Sequence, residues 1–254
     1  MINSEIILLC SKYLGFDAEP LDEAYRDIYD SIIDSTIINK NIVFSKKELS
    51  FTDSEHFFLT GIDLPILLSG NHSLTLMIVG SEPLRNEKFF LANDIETYNE
   101  MSVGTPYSYH TEVNALKPNI YTHIINGLKS QANIYLTDLR KIWYAGFEYN
   151  SNFIKDVRHQ NFLLEELEII NPDYIITFGN ESYNKVQYLL KESQRAPSVI
   201  PLMHPSPRNF GSKRNDYFLS HNIDITKFKN NGNNNLASAM AYIEIISSKI
   251  KFNS

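Results

Sequence analysis

Two short segments, far apart in the chain, carry the residue types that could do chemistry. Gly80-Ser81-Glu82-Pro83 directly follows the apolar run Leu74–Val79. His204-Pro205-Ser206-Pro207-Arg208-Asn209 directly follows the run Val199–Met203. Each places polar groups at the carboxyl end of a buried strand, and in an open α/β sheet that edge is where ligands bind. A carboxylate on one loop, Glu82, and an imidazole on the other, His204, facing each other across a cleft, make the chain a candidate enzyme. A third feature lies just beyond the second segment. Arg208, Lys213 and Arg214 form a basic cluster with few acids nearby. It reads either as a phosphate-contacting surface or as a solvated loop.

Several common chemistries are missing. No Gly-x-Gly-x-x-Gly follows a strand, no lysine-bearing phosphate loop is present, and no Gly-x-Ser-x-Gly elbow exists, so Ser206 is a poor serine nucleophile. The seven histidines include no i, i+4 pair, and Cys10 is the only cysteine. A zinc site is therefore not expected, an internal disulfide cannot form, and a cluster held by four cysteines is excluded. No cofactor is implied.

The elements that must position these loops follow from the apolar pattern. Ser73–Val79, Asn133–Asp138, Asp173–Phe178 and Ser198–Met203 read as buried strands. Asn119–Leu128, Arg158–Ile170, Ser182–Lys191 and Ala237–Ile250 read as helices. Their alternation predicts an α/β fold: three layers, a central parallel sheet of about four strands, and helices on both faces. Residues 1–72 read as a helical N-terminal extension packed on the core, with a helix over Ala24–Ile38 and an ambiguous stretch over Ile42–Gly61. Residues 73–254 form the α/β domain. There is no internal repeat. The loop over Asn230–Asn235 is rich in asparagine.

The 254 residues, 43% hydrophobic, suit one large α/β domain with such an extension. No apolar run is long enough for a membrane span, and Met1-Ile2-Asn3-Ser4-Glu5 lacks a basic secretory start. Together with the lone cysteine, this suits a cytoplasmic protein. The net charge of −7 argues against strong affinity for duplex nucleic acid, although charge can be locally reversed. The oligomeric state is not encoded in any pattern.

In this order and spacing, Gly80-Ser81-Glu82-Pro83 and His204-Pro205-Ser206-Pro207 resemble the two signature motifs of the uracil-DNA glycosylase superfamily. Between them, Asn133–Lys141 is similar to the strand that carries the family's base-reading side chain. Asn171–Gly179 is similar to the next core strand. The resemblance covers roughly Ser73 to Lys227. His204–Asn209 is nearest the single-strand-selective branch. Arg85 and Glu87 resemble the thermophile-type branch, whose iron–sulfur cluster this chain cannot hold.

The resemblance implies hydrolysis of an N-glycosidic bond after the target base is flipped into a pocket, with DNA, single-stranded DNA included, as the partner. It makes Glu82 and His204 the catalytic pair. Neutral His204 would donate to the leaving base, and Glu82 would position water and, if ionised, stabilise the sugar cation. Ser206 would donate to a backbone phosphate. Gly80, Ser81 and Pro83 would frame the pocket, and loop amides around Glu82 would complete an anion-binding site. Tyr107 would stack on the base, or simply pack as most of the 15 tyrosines must. Ser206, Arg208, Asn209, Lys213 and Arg214 would meet the nucleic acid.

Three positions depart from the family pattern. Glu82 stands where Asp, Asn or Ala is usual and is one methylene longer, a displacement of about 1 Å that catalysis tolerates poorly. Leu84 stands where Tyr or Gly is usual, beside the base's C5 substituent. Asp138 aligns with the base-reading asparagine. An ionised aspartate only accepts, so it would repel uracil O4 and favour a base presenting donors. The other reading of Asp138 is a turn cap or a shifted register. Two functions stay open: a base-excision glycosylase not specialised for plain uracil, or a catalytically inactive protein of this fold that binds nucleic acid, a nucleotide or a protein partner.

Overall fold

The computed structural model describes residues 2–34, 42–45, 60–81, 100–144, 157–193, 197–205, 212–231 and 234–250. In chain order the first elements are α1 (Ile2–Leu9), a π turn over Cys10–Leu14, α2 (Ala18–Ile33), β1 (Ile42–Ser45), β2 (Thr60–Asp63), β3 (Ile66–Leu68) and β4 (Thr75–Gly80). Next come β5 (Glu100–Gly104), a 3-10 turn over Pro106–Ser108, α3 (Tyr109–Glu112), α4 (Ile120–Lys129), β6 (Asn133–Asp138) and β7 (Ile142–Tyr144). The last third holds α5 (Val157–Ile170), β8 (Tyr174–Phe178), α6 (Asn180–Leu190), β9 (Ser198–Leu202), α7 (Ser212–Ser220), a 3-10 stretch over Ile225–Asn231 and α8 (Asn234–Lys249).

A five-stranded sheet has the order β3-β6-β4-β8-β9. Parallel pairing joins β4 to β8 (Ile78 opposite Ile176) and β8 to β9 (Ile176 opposite Ile200). Backbone N–H groups of Asn133 and Leu139 donate to Leu74 and Gly80 carbonyls at 2.8 and 2.9 Å. Both partners ascend together, so β6 runs parallel to β4. Four strands are thus parallel, as the alternating pattern predicted. Leu76, Met77 and Ile78, Ile134, Tyr135 and Leu136, and Ile175 and Ile176 are all fully buried. Consecutive buried positions mean that both sheet faces are covered, which is how parallel sheets achieve stability. β9 is the edge strand, and it tolerates Pro201 in the ladder for that reason.

The chain clusters into two units. One comprises Met1–Ile66, Gly80–Asn114 and Leu136–Asn171; the other comprises Leu67–Val79, Ala115–Tyr135 and Pro172–Ser254. The first unit contains a second sheet of order β1-β5-β2-β7, in which β2 and β5 are parallel and the outer pairs antiparallel. The segment read as an N-terminal extension therefore supplies strands as well as helices. Its α2 begins at Ala18, six residues before the periodicity suggested, with Asp17 at the cap and Pro20 in the first turn. Leu21, Ala24, Tyr25 and Ile28 of α2 are buried at helical spacing, and Tyr25 donates to the Pro65 carbonyl at 2.8 Å. In the second unit, α4 packs against α8, and α6 lies against β8 and β9.

Candidate functional site

His204 follows β9 by two residues, at the carboxyl edge shared by β4, β8 and β9. Three side chains from three helices fix the short segment around it. Tyr242 of α8 donates its hydroxyl to the Met203 carbonyl at 2.9 Å. Arg214 of α7 donates through Nη2 to the Pro205 carbonyl at 3.3 Å, and through Nη1 to Ser238 at 3.1 Å. Tyr121 of α4 shares a 3.1 Å hydrogen bond with His204 Nε2. The two rings meet edge to face at 73°, 6.0 Å between centroids.

These anchors are themselves supported. Asn119 caps α4 by accepting the Thr122 N–H at 2.9 Å, which sets the first turn that carries Tyr121. Tyr121 packs edge-on to Phe178 at 5.2 Å, and Phe178 packs edge-on to Tyr242 at 6.1 Å. Gly179 ends β8 with φ +88° and approaches His204 so closely that an added Cβ would sit 3.4 Å from the histidine Cβ. Only glycine adopts that backbone without strain. Partial burial pushes the His204 pKa below 6.5 and the Tyr121 phenol well above its ordinary value. Near neutral pH both are uncharged, so the imidazole is equipped to donate a hydrogen bond without carrying charge.

The other unit holds a second polar concentration. Asp138, at the end of β6, is 2% exposed. A Cβ added at Gly80 would overlap Asp138 Oδ1 and stand 3.4 Å from the Tyr107 hydroxyl, so the absence of a side chain at Gly80 makes room for both. Tyr107 and Ser108 are consecutive non-glycine residues at φ +60° and +54°. Such backbone costs of order 1–3 kcal/mol per residue and persists only where the surroundings enforce it. The Gly80 and Ser81 carbonyls accept the Leu139 and Arg140 N–H groups at 2.9 and 3.2 Å, which ties the start of the first loop to the turn after Asp138. Behind that turn lies a fully buried ion pair, Lys141 Nζ to Glu166 Oε2 at 2.8 Å. Lys141 also donates to the Asp138 carbonyl and to Thr137 Oγ1, and Thr137 donates to Glu166 Oε1 at 2.8 Å.

The expected site residues are therefore distributed as follows. His204 has the placement the sequence implied. Gly80, Tyr107 and Asp138 come together as one group. Ser81 is exposed beside them. Glu82, Pro83, Leu84, Ser206, Arg208 and Asn209 lie outside the described residues, as do Arg85 and Glu87. Lys213 is exposed on α7. Arg214 departs from the expected solvent-facing cluster: it is 3% exposed and binds Pro205 and Ser238. Its charge suggested solvent, but α7 turns it inward.

Sequence reasoning missed Tyr121, Tyr242 and the pair Lys141–Glu166. Only the last had a usable signal: Glu166 falls on the apolar stripe of α5 between Phe162, Leu163, Leu167 and Ile170, where an acid demands a partner. Among the described residues no cluster of His, Cys, Asp or Glu could hold a metal, and no helix is long and apolar enough to cross a membrane.

The family model of the Uracil DNA glycosylase superfamily matches residues 69–226, more than half of the chain and inclusive of β4, β6, β8, β9 and His204. A search of curated proteins returned no match.

Proposed function

Because the chain belongs to the uracil DNA glycosylase superfamily, whose members are generally hydrolytic DNA glycosylases, we propose that it excises a damaged or deaminated base from DNA. The observation that carries this reading is His204, on the loop after β9, its segment anchored by groups from three helices and its pKa lowered by partial burial.

In the proposed reaction the target nucleotide is flipped out of the stack. Water forms a bond to C1′ as the C1′–N bond breaks, and the electron pair leaves with the base. Neutral His204 donates to the base oxygen that gains charge, which stabilises the anion without a proton transfer. Glu82 positions the water, takes the proton it releases and opposes the positive sugar. Tyr107 stacks on the base, Asp138 reads its edge, and Leu84 limits its C5 substituent. Ser206, Arg208, Asn209 and Lys213 contact phosphates.

Incubation with single- and double-stranded oligonucleotides carrying uracil, hypoxanthine or xanthine tests this directly. Abasic sites formed by the wild type and lost in His204→Ala support it. Binding without abasic sites favours the second reading, a non-catalytic nucleic-acid or nucleotide binder, for which the net charge of −7 and the carboxylate at Asp138 speak.

A further inference from the structure

We infer that Lys141 is a positioning residue for Asp138: its ammonium holds the carbonyl of the peptide unit that leaves Asp138, and so fixes the direction from which the carboxylate projects. The inference rests on the reading of Asp138 as a base reader only for its effect on excision; the effect on the turn stands on geometry alone. Lys141 and Glu166 are both wholly buried, with Nζ 2.8 Å from Glu166 Oε2. An ammonium has three donors, and the Glu166 carboxylate, Thr137 Oγ1 and the Asp138 carbonyl accept them. The same group lies over the Phe162 ring, 4.8 Å from its centroid. A buried ion pair adds little net stability over an apolar pair of similar size, so what this one supplies is geometry.

The clamp acts on one peptide plane from both ends. The carbonyl of the Asp138–Leu139 unit accepts from Lys141 Nζ, and its N–H donates to the Gly80 carbonyl at 2.9 Å. A peptide unit is planar, so holding both ends sets ψ of Asp138 and φ of Leu139. The next two amides are engaged in turn: Arg140 donates to the Ser81 carbonyl at 3.2 Å, and Lys141 to His159 Nδ1 at 3.3 Å. Precision matters here because Asp138 Oδ1 stands only 1.9 Å from where a Cβ on Gly80 would be. A small rotation of the plane drives the carboxylate into the Gly80 backbone or away from it. Lys141 thereby sets where the Asp138 oxygens stand when a base edge meets them.

The test pairs Lys141→Met with Glu166→Leu, which removes the ammonium without stranding a buried charge. Lys141→Met with Glu166→Gln, which keeps the shape of the acid, serves if the first pair fails to fold. Amide hydrogen exchange at Leu139 and Arg140 is expected to quicken by about tenfold or more, the loss of one charge-assisted hydrogen bond, while Ile134 and Leu136 of β6 keep their wild-type rates. Excision of uracil from a single-stranded oligonucleotide is the second readout. Asp138→Asn is expected to raise it by roughly ten- to a hundredfold in the wild type and by about threefold or less in the paired variant, because a carboxylate no longer fixed repels uracil O4 less. A change in global stability alone leaves that ratio untouched. Unchanged exchange at Leu139 and Arg140 overturns the inference, and so does an Asp138→Asn effect of equal size in both backgrounds. If the wild type excises no base, or Asp138→Asn leaves excision as it was, the glycosylase or base-reading assignment falls by itself, and exchange still decides whether Lys141 holds the turn.

Discussion

His204 gains its chemistry from its neighbours. Its pKa lies below 6.5 because burial penalises the charged ring, so the folded protein resists protonation more than the unfolded chain does. Activity that needs neutral His204 should be constant above pH 6.5 and fall as pH drops through the folded pKa, with a midpoint below 6.5 on the acid limb. The same linkage makes folding less favourable as pH falls below 6.5. His204→Ala should reduce excision by about 10²–10³, the usual loss for one charge-stabilising donor, and an oligonucleotide assay across pH reads both effects. Asp138 predicts substrate choice. A carboxylate set against uracil O4 costs about 1–3 kcal/mol in an unsatisfied contact, so Asp138→Asn should raise uracil excision by roughly ten- to a hundredfold. Competition between uracil and a donor-bearing base in one duplex context measures it. A fall in uracil excision in Asp138→Asn would remove Asp138 from base reading.

Among the elements, the turn between β6 and β7 is coupled to α5 by a charge pair with no access to water. Glu166→Gln leaves the Lys141 ammonium buried without its counter-ion and should cost about 3–5 kcal/mol. Joint replacement by Leu and Met should recover most of that loss. Urea unfolding of the single and double variants separates the two. The elements also show what the sequence could reveal. β4, β6, β8 and β9 were legible because each is a continuous apolar run between polar ends. The helices α4, α5, α6 and α8 were legible within a few residues from their 3.6-residue period. The strands β1, β2, β5 and β7 were not, since β5 reads Glu-Met-Ser-Val-Gly and buries Ser102 as fully as Met101. His204 was legible because its loop leaves a strand directly. Tyr121 was not, because nothing in the helix Ile-Tyr-Thr-His-Ile-Ile-Asn-Gly-Leu-Lys marks its one tyrosine as the neighbour of a histidine 83 positions away.

For the molecule as a whole, the acidic balance confines any nucleic-acid contact to local basic patches. Arg208→Gln and Lys213→Gln should each flatten the slope of log K against log salt by up to ~0.9 if they touch phosphates. Arg214→Gln should instead lower the thermal midpoint, since its guanidinium ties α7 to Pro205 and Ser238. Salt titrations of DNA binding and melting curves on the three variants tell these apart. An equal loss of salt dependence in Arg214→Gln would return that residue to the DNA surface.

The mixed sheet has a consequence for how the chain is made. β2 lies between β5 and β7, yet it is synthesised before both. About 80 residues separate Asp63 from Ile142, so on a ribosome working at ~5–20 residues per second the two edges of β2 wait ~4–16 s for their full complement of partners. During that interval the backbone donors and acceptors of the nascent strand are open to every neighbouring chain on the polysome, so the exposure of β2 to mispairing is greatest during synthesis and ends when both partners are in place.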